Sequence, residues 1–104
     1  LLLFGIMSLY KTGGETMAVY SIAYDLNKIG QSYDKLHKEI KKLGPYFHAM
    51  ESYWFVDTNY SADTIYALLK SALDSNDLVF ITKVTNSYYG LLDKEAWAWL
   101  KPRL

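Results

Sequence analysis

From Met17 to Asp25 the side chains alternate, with Tyr20, Ile22 and Tyr24 on one side and Val19, Ser21, Ala23 and Asp25 on the other. Period-two spacing with aromatic and β-branched residues predicts a strand, and Asn27 to Gly30 reads as the turn that ends it. The period then changes. Over residues 31–43, Tyr33, Leu36, Ile40 and Leu43 fall at helical spacing, while Lys35, Lys38, Lys41 and Lys42 take the wet side and leave His37 solvated between them. Gly44 and Pro45 stop that helix, because glycine accepts a cap conformation closed to other residues and proline cannot continue the helix.

Strand chemistry returns from Tyr46 to Thr58, as a hairpin around Glu51 or as one long bent strand. No Asn-Gly or Asp-Gly pair decides between the two. Ser61 caps the next helix, Asp63 sits in its first turn, and Ile65, Leu68, Leu69 and Ala72 make its buried stripe. A turn from Leu73 to Asp77 leads into a strand from Leu78 to Val84. A last helix, Asp93 to Leu100, displays Trp97 and Leu100 on one side, with Pro102 beyond its end. Trp97 and Trp99 are placed to dock it on the body or on a partner.

This order predicts an α+β, ferredoxin-like split βαβ sandwich: a four-stranded antiparallel sheet with two helices on one face, plus a C-terminal helix. An uncovered sheet face on so small a domain predicts a homodimer formed sheet to sheet.

A chain of 104 residues supports one core, assigned here to residues 17–104. Residues 1–16 read as a non-native or disordered extension. Gly13-Gly14-Glu15-Thr16 before Met17 has the form of a purine-rich ribosome-binding tract translated in frame. The apolar run Leu1 to Met7 falls short of the roughly 20 residues that span a bilayer and lacks the features of a secretory signal. The expectation is a bacterial cytoplasmic protein with no membrane partner.

Eleven basic and eleven acidic side chains cancel, so holding RNA or DNA would need a local patch. The lysines from Lys28 to Lys42 are the only concentration available, and Lys28 and Lys35 are its candidate phosphate contacts. With no cysteine, disulfides and thiol nucleophiles are excluded. Carboxylates, backbone oxygens, His37 and His48 remain as metal ligands, a set that favours magnesium or manganese over zinc. No nucleophile–histidine–acid triad or phosphate-cradling glycine loop is visible.

Four readings stay open. Asp25, a carboxylate at the tip of the first strand, is either a metal ligand or a cap for the following turn. His48 is a proton carrier or phosphate contact, or a half-buried packing residue. Ser52 contacts a phosphate or a neighbouring strand. Tyr53, Trp54 and Phe55 stack on bases or fill a core or interface. The acids Asp74 and Asp77 flank Asn76 in a tract too short for a calcium loop, and read as a turn.

Tyr24-Asp25-Leu26 closing the first strand, Ser52-Tyr53-Trp54-Phe55, the Ser61-capped helix and Leu73-Asp74-Ser75-Asn76-Asp77-Leu78-Val79-Phe80 together resemble the CRISPR-associated Cas-two family. Its relatives include the virulence-associated protein D ribonucleases and a SinR-like group. The SinR-like group is most similar, through Tyr24-Asp25-Leu26-Asn27, Gly30-Gln31 with Tyr33, and Leu73-Asp74 with Asn76-Asp77.

The resemblance spans about residues 17–84 and implies a ferredoxin-like homodimer. It also implies that Asp25, once from each protomer, would hold a divalent cation across the twofold axis of an endoribonuclease. The chain departs from the family where a basic residue usually precedes the serine–aromatic strand, since His48-Ala49-Met50-Glu51 stands there. That departure and the zero net charge tilt the expectation to a dimeric interaction or regulatory protein of a mobile-element or toxin–antitoxin type system, with nucleic acid or a protein as possible partner. The alternative is a magnesium-dependent endoribonuclease.

Overall fold

The computed structural model describes residues 16–26 and 33–104. Residues 1–15, the turn from Asn27 to Gly30 and with it Lys28 lie outside the described residues. Four strands, β1 (Ala18–Asp25), β2 (Tyr46–Met50), β3 (Tyr53–Thr58) and β4 (Leu78–Lys83), form one antiparallel sheet in the order β2-β3-β1-β4. Helix α1 (Asp34–Lys41) connects β1 to β2, and α2 (Ala62–Leu69) with a 3-10 turn at Lys70–Ala72 connects β3 to β4. A third helix, α3 (Lys94–Leu100), follows. Each of the first two helices crosses over one strand, which places β3 and β1 at the centre. This is the ferredoxin-like arrangement the pattern predicts.

One face of the sheet packs on α1 and α2. Ile22, Trp54 and Val56 from the central strands meet Leu36, Ile40, Ile65 and Leu69, all nearly inaccessible to solvent. The stripe on α2 is narrower than its sequence suggests: Ile65, Leu69 and Ala72 turn inward, but Leu68 is 43% exposed. Spacing of four then three residues fills the contact line, and Leu68 rotates off it.

Ser61 has the extended backbone of an N-cap, but its hydroxyl donates to the Asp63 carboxylate instead of accepting a backbone N–H. That hydrogen bond holds the Asp63 carboxyl below its ordinary range.

The stretch from Tyr46 to Thr58 is a hairpin, with Glu51 and Ser52 at the turn and an irregularity between His48 and Met50. Gly44 makes its entry possible. Its φ is 150°, and a Cβ there would lie 2.3 Å from the Asp57 carbonyl oxygen. Glycine lets the chain pass so close that Asp57 N–H donates to the Pro45 carbonyl at 2.8 Å.

The second face is only partly open, which corrects the expectation of a wholly uncovered one. Leu100 from α3 packs on Val19 and Phe55. Trp99 lies parallel to Phe55 at 6.3 Å, Arg103 sits over Trp99, and the Arg103 guanidinium reaches Asp57 Oδ2 at 3.2 Å. Trp97 joins the same cluster, so the tryptophans dock the last helix on its own body. Among the described residues no helix is long and apolar enough to cross a membrane.

Candidate functional site

Beside the part of the second face that α3 covers, a row runs across all four strands, half-buried at Ala23 and Tyr53 and open at its ends. Register pairs Met50 with Tyr53, Ala23 with Tyr53, and Ala23 with Phe80, so these four side chains stand side by side. Phe80 is 70% exposed and Met50 50%. The next pair toward the strand ends is Asp25 with Leu78, which is 67% exposed. Next to the row, Met50, Tyr53, Phe55, Val84, Tyr88 and Trp97 line an apolar cavity of about 240 Å³.

Asp25 is exposed at the rim of this row. A shallow depression there is lined by Ala23, Tyr24, Asp25, Leu78, Val79 and Phe80. No group of three or more histidines or acids gathers to hold a metal ion among the described residues. Magnesium takes near-octahedral oxygen ligands. One carboxylate over an apolar floor does not supply that set, so the residues of a single chain do not fit the ion.

His48 stands on the opposite face of the sheet. Its ring lies flat on Trp54, 4.1 Å between centroids and 13° from parallel, and its Nε2–H donates to the Glu51 carbonyl at 3.0 Å. Within one chain the structure therefore does not bring His48 to Asp25. Ser52 sits in the hairpin turn, where its backbone carbonyl accepts the Tyr24 N–H at 3.1 Å. Lys35 is exposed on α1. Of the neighbouring lysines, Lys42 pairs with Glu39 at 2.9 Å and Lys41 lies over the Tyr46 ring.

The sequence reading missed a cluster beneath α1. His37 is half-buried, not solvated, and its Nε2 lies 2.7 Å from Tyr24 Oη. Trp54 Nε1–H donates to the same oxygen at 3.0 Å, and the Tyr24 hydroxyl lies 3.3 Å from the Glu51 carbonyl oxygen. The Tyr33 and His48 rings complete the cluster, 5.7 and 5.3 Å from His37. One signal was present: His37 follows Tyr33 by four residues, which puts both on one helix face.

Burial pushes the Tyr24 hydroxyl above its usual range, against the pull of the Trp54 hydrogen bond, so it stays protonated. Burial, then His48 and Lys41, hold His37 below the ordinary imidazole value, while Asp34 acts in the opposite direction. Every buried side-chain nitrogen and oxygen among the described residues has a partner. The cluster is a closed hydrogen-bonded network, whereas the apolar row is an open surface. Compared with protein-family models, curated proteins and solved structures, the chain matches none.

Proposed function

We propose that this protein is a Cas-two-like dimeric interaction or regulatory module whose docking surface is the row Met50–Tyr53–Ala23–Phe80, continued by Leu78, with Met50, Phe80 and Leu78 its exposed members. The observation that supports this is the exposure of Phe80 and Leu78, at 70% and 67%, on a face whose other part is sealed by α3. Fully burying one such side chain is worth about 1.5–3 kcal/mol, so an uncovered row of them favours a partner.

The occupant proposed is a second copy. Apart from Asp25 at its rim, the row carries no charge that would select a basic or acidic partner, and none that would neutralise phosphate. An apolar strip is self-complementary about a twofold axis. Light scattering on the wild-type chain at micromolar concentration is expected to give twice the 12.0 kDa chain mass, and Phe80→Glu the single mass. A monomeric wild type overturns the reading.

A second reading follows from the place of Asp25. Because it is exposed and pairs with Leu78 at the end of the same strip, docking about a twofold near that end would bring two Asp25 carboxylates together. Such a pair is the magnesium site of the endoribonuclease alternative, and both protomers would be needed to build it. The expected outcome is magnesium-dependent RNA cleavage by the wild type that Asp25→Ala abolishes. Cleavage that survives the substitution, or none in the wild type, removes this reading and leaves the module.

A further inference from the structure

We infer that His37, the Tyr24 hydroxyl and the Glu51 carbonyl form a proton-operated hydrogen-bond switch that couples the charge on α1 to the β2–β3 turn. The valence of one oxygen, Tyr24 Oη, operates it. A tyrosine hydroxyl has one proton to give and two lone pairs to accept with. Among the described residues three groups surround Tyr24 Oη: Trp54 Nε1 at 3.0 Å, His37 Nε2 at 2.7 Å and the Glu51 carbonyl oxygen at 3.3 Å.

The indole N–H is a donor only and occupies one lone pair permanently. In the Nδ1–H tautomer of neutral His37, which the switch requires, Nε2 is bare and the hydroxyl proton goes to that nitrogen. The Glu51 carbonyl is then left with the His48 Nε2–H at 3.0 Å. When His37 takes a proton, Nε2 becomes a donor and fills the second lone pair of Tyr24. The hydroxyl proton has one acceptor left, the Glu51 carbonyl, which then receives two hydrogen bonds. Tyr24 never ionises; it only turns.

The groups facing His37 set where this happens. From its own helix come Asp34 and Lys41, from the residue before the helix Tyr33, from β1 Tyr24, and from β2 His48. Glu51 in the turn acts on Tyr24, and Trp54 from β3 carries no charge. Partial burial, then His48 and Lys41, outweigh Asp34, so the switch trips on the acid side of 6.5. The turn it pulls on is flanked by Met50 and Tyr53, two members of the row on the other face. That last consequence, regulation of docking, rests on the proposed dimer; the switch itself does not.

The test is a pH titration by NMR from about pH 8 to about pH 4.5, following the His37 ring nitrogens, the Glu51 carbonyl carbon and the Ser52 amide. In the wild type all three are expected to move with one midpoint. In Tyr24→Phe, His37 still titrates but Glu51 and Ser52 no longer follow it. In His48→Gln, which retains an N–H donor toward Glu51, the shared midpoint persists. A Glu51 carbonyl that stays flat through the His37 midpoint, or tracks His48 alone, overturns the switch, as does coupling that survives in Tyr24→Phe. If Tyr24→Phe does not fold, the wild type and His48→Gln decide the matter between them. Scattering at the two ends of the titration reads the docking consequence separately, so loss of the dimer reading leaves the switch standing or falling on the NMR data.

Discussion

The two faces of this sheet are made from the same strands and solve different problems. On the face under α1 and α2, Trp54 is 2% exposed, Tyr24 is 6%, and their polar atoms are tied to each other and to His37. On the other face, one end is sealed by Leu100, Trp99 and the Arg103–Asp57 pair, while Phe80, Leu78 and Met50 along the row through Ala23 stay exposed. Satisfaction on one side and bare apolar surface on the other separate what holds the fold from what is free to act. The helix face has little left to offer a partner, and the exposed members of the row contribute little to the fold of a single chain.

The contrast can be attacked in order of expected size. Trp54→Ala should cost about 3–5 kcal/mol in denaturant unfolding, since it empties the middle of the helix-side core and strips Tyr24 of a donor. Leu100→Ala should cost somewhat less, about 2–4 kcal/mol, because α3 keeps its Trp99–Phe55 and Arg103–Asp57 contacts while losing the larger of its two buried side chains, Leu100 beside Ala96. If Leu100→Ala proved the costlier of the two, α3 and not the helix pair would be the main support of the fold.

A pH effect on stability comes next. The folded chain holds His37 below its ordinary value, so between that folded value and 6.5 the unfolded chain binds more protons. Stability contributed by the neutral imidazole is therefore complete above 6.5, declines as pH falls through the folded value, and is flat below it. His37→Gln removes this decline, and comparing the two unfolding profiles isolates it from the carboxylates. The smallest effect belongs to the row: Phe80→Glu should change the unfolding free energy of the monomer by no more than about 0.5 kcal/mol while abolishing association. A large loss in the monomer would mean that Phe80 is a core residue after all.

Much of this was legible in advance. Alternation placed Ile22 and Tyr24 on one face and Ala23 and Asp25 on the other, and the helical stripes were correct at Leu36, Ile40, Ile65 and Leu69. Leu68 escaped because spacing shows which residues can face inward, whereas the contact line between helix and sheet decides how many do. His37 escaped for the opposite reason: set between Lys35 and Lys38 in sequence, it is claimed by a hydroxyl from a strand 13 residues earlier. The choice between hairpin and long strand was equally invisible. No residue types at Glu51 and Ser52 dictate a turn, and it is fixed instead by Tyr24 N–H bonding the Ser52 carbonyl.

By itself the sequence determined the elements, their order and the two-sided character of each strand, because period and capping are local properties of neighbouring residues. Tertiary structure alone decided how far α3 reaches across the second face, that Asp25 and His48 point to opposite sides, and that Tyr24, His37 and Glu51 meet at one oxygen. Those facts depend on register and on contacts between segments distant along the chain, where no local pattern constrains the outcome.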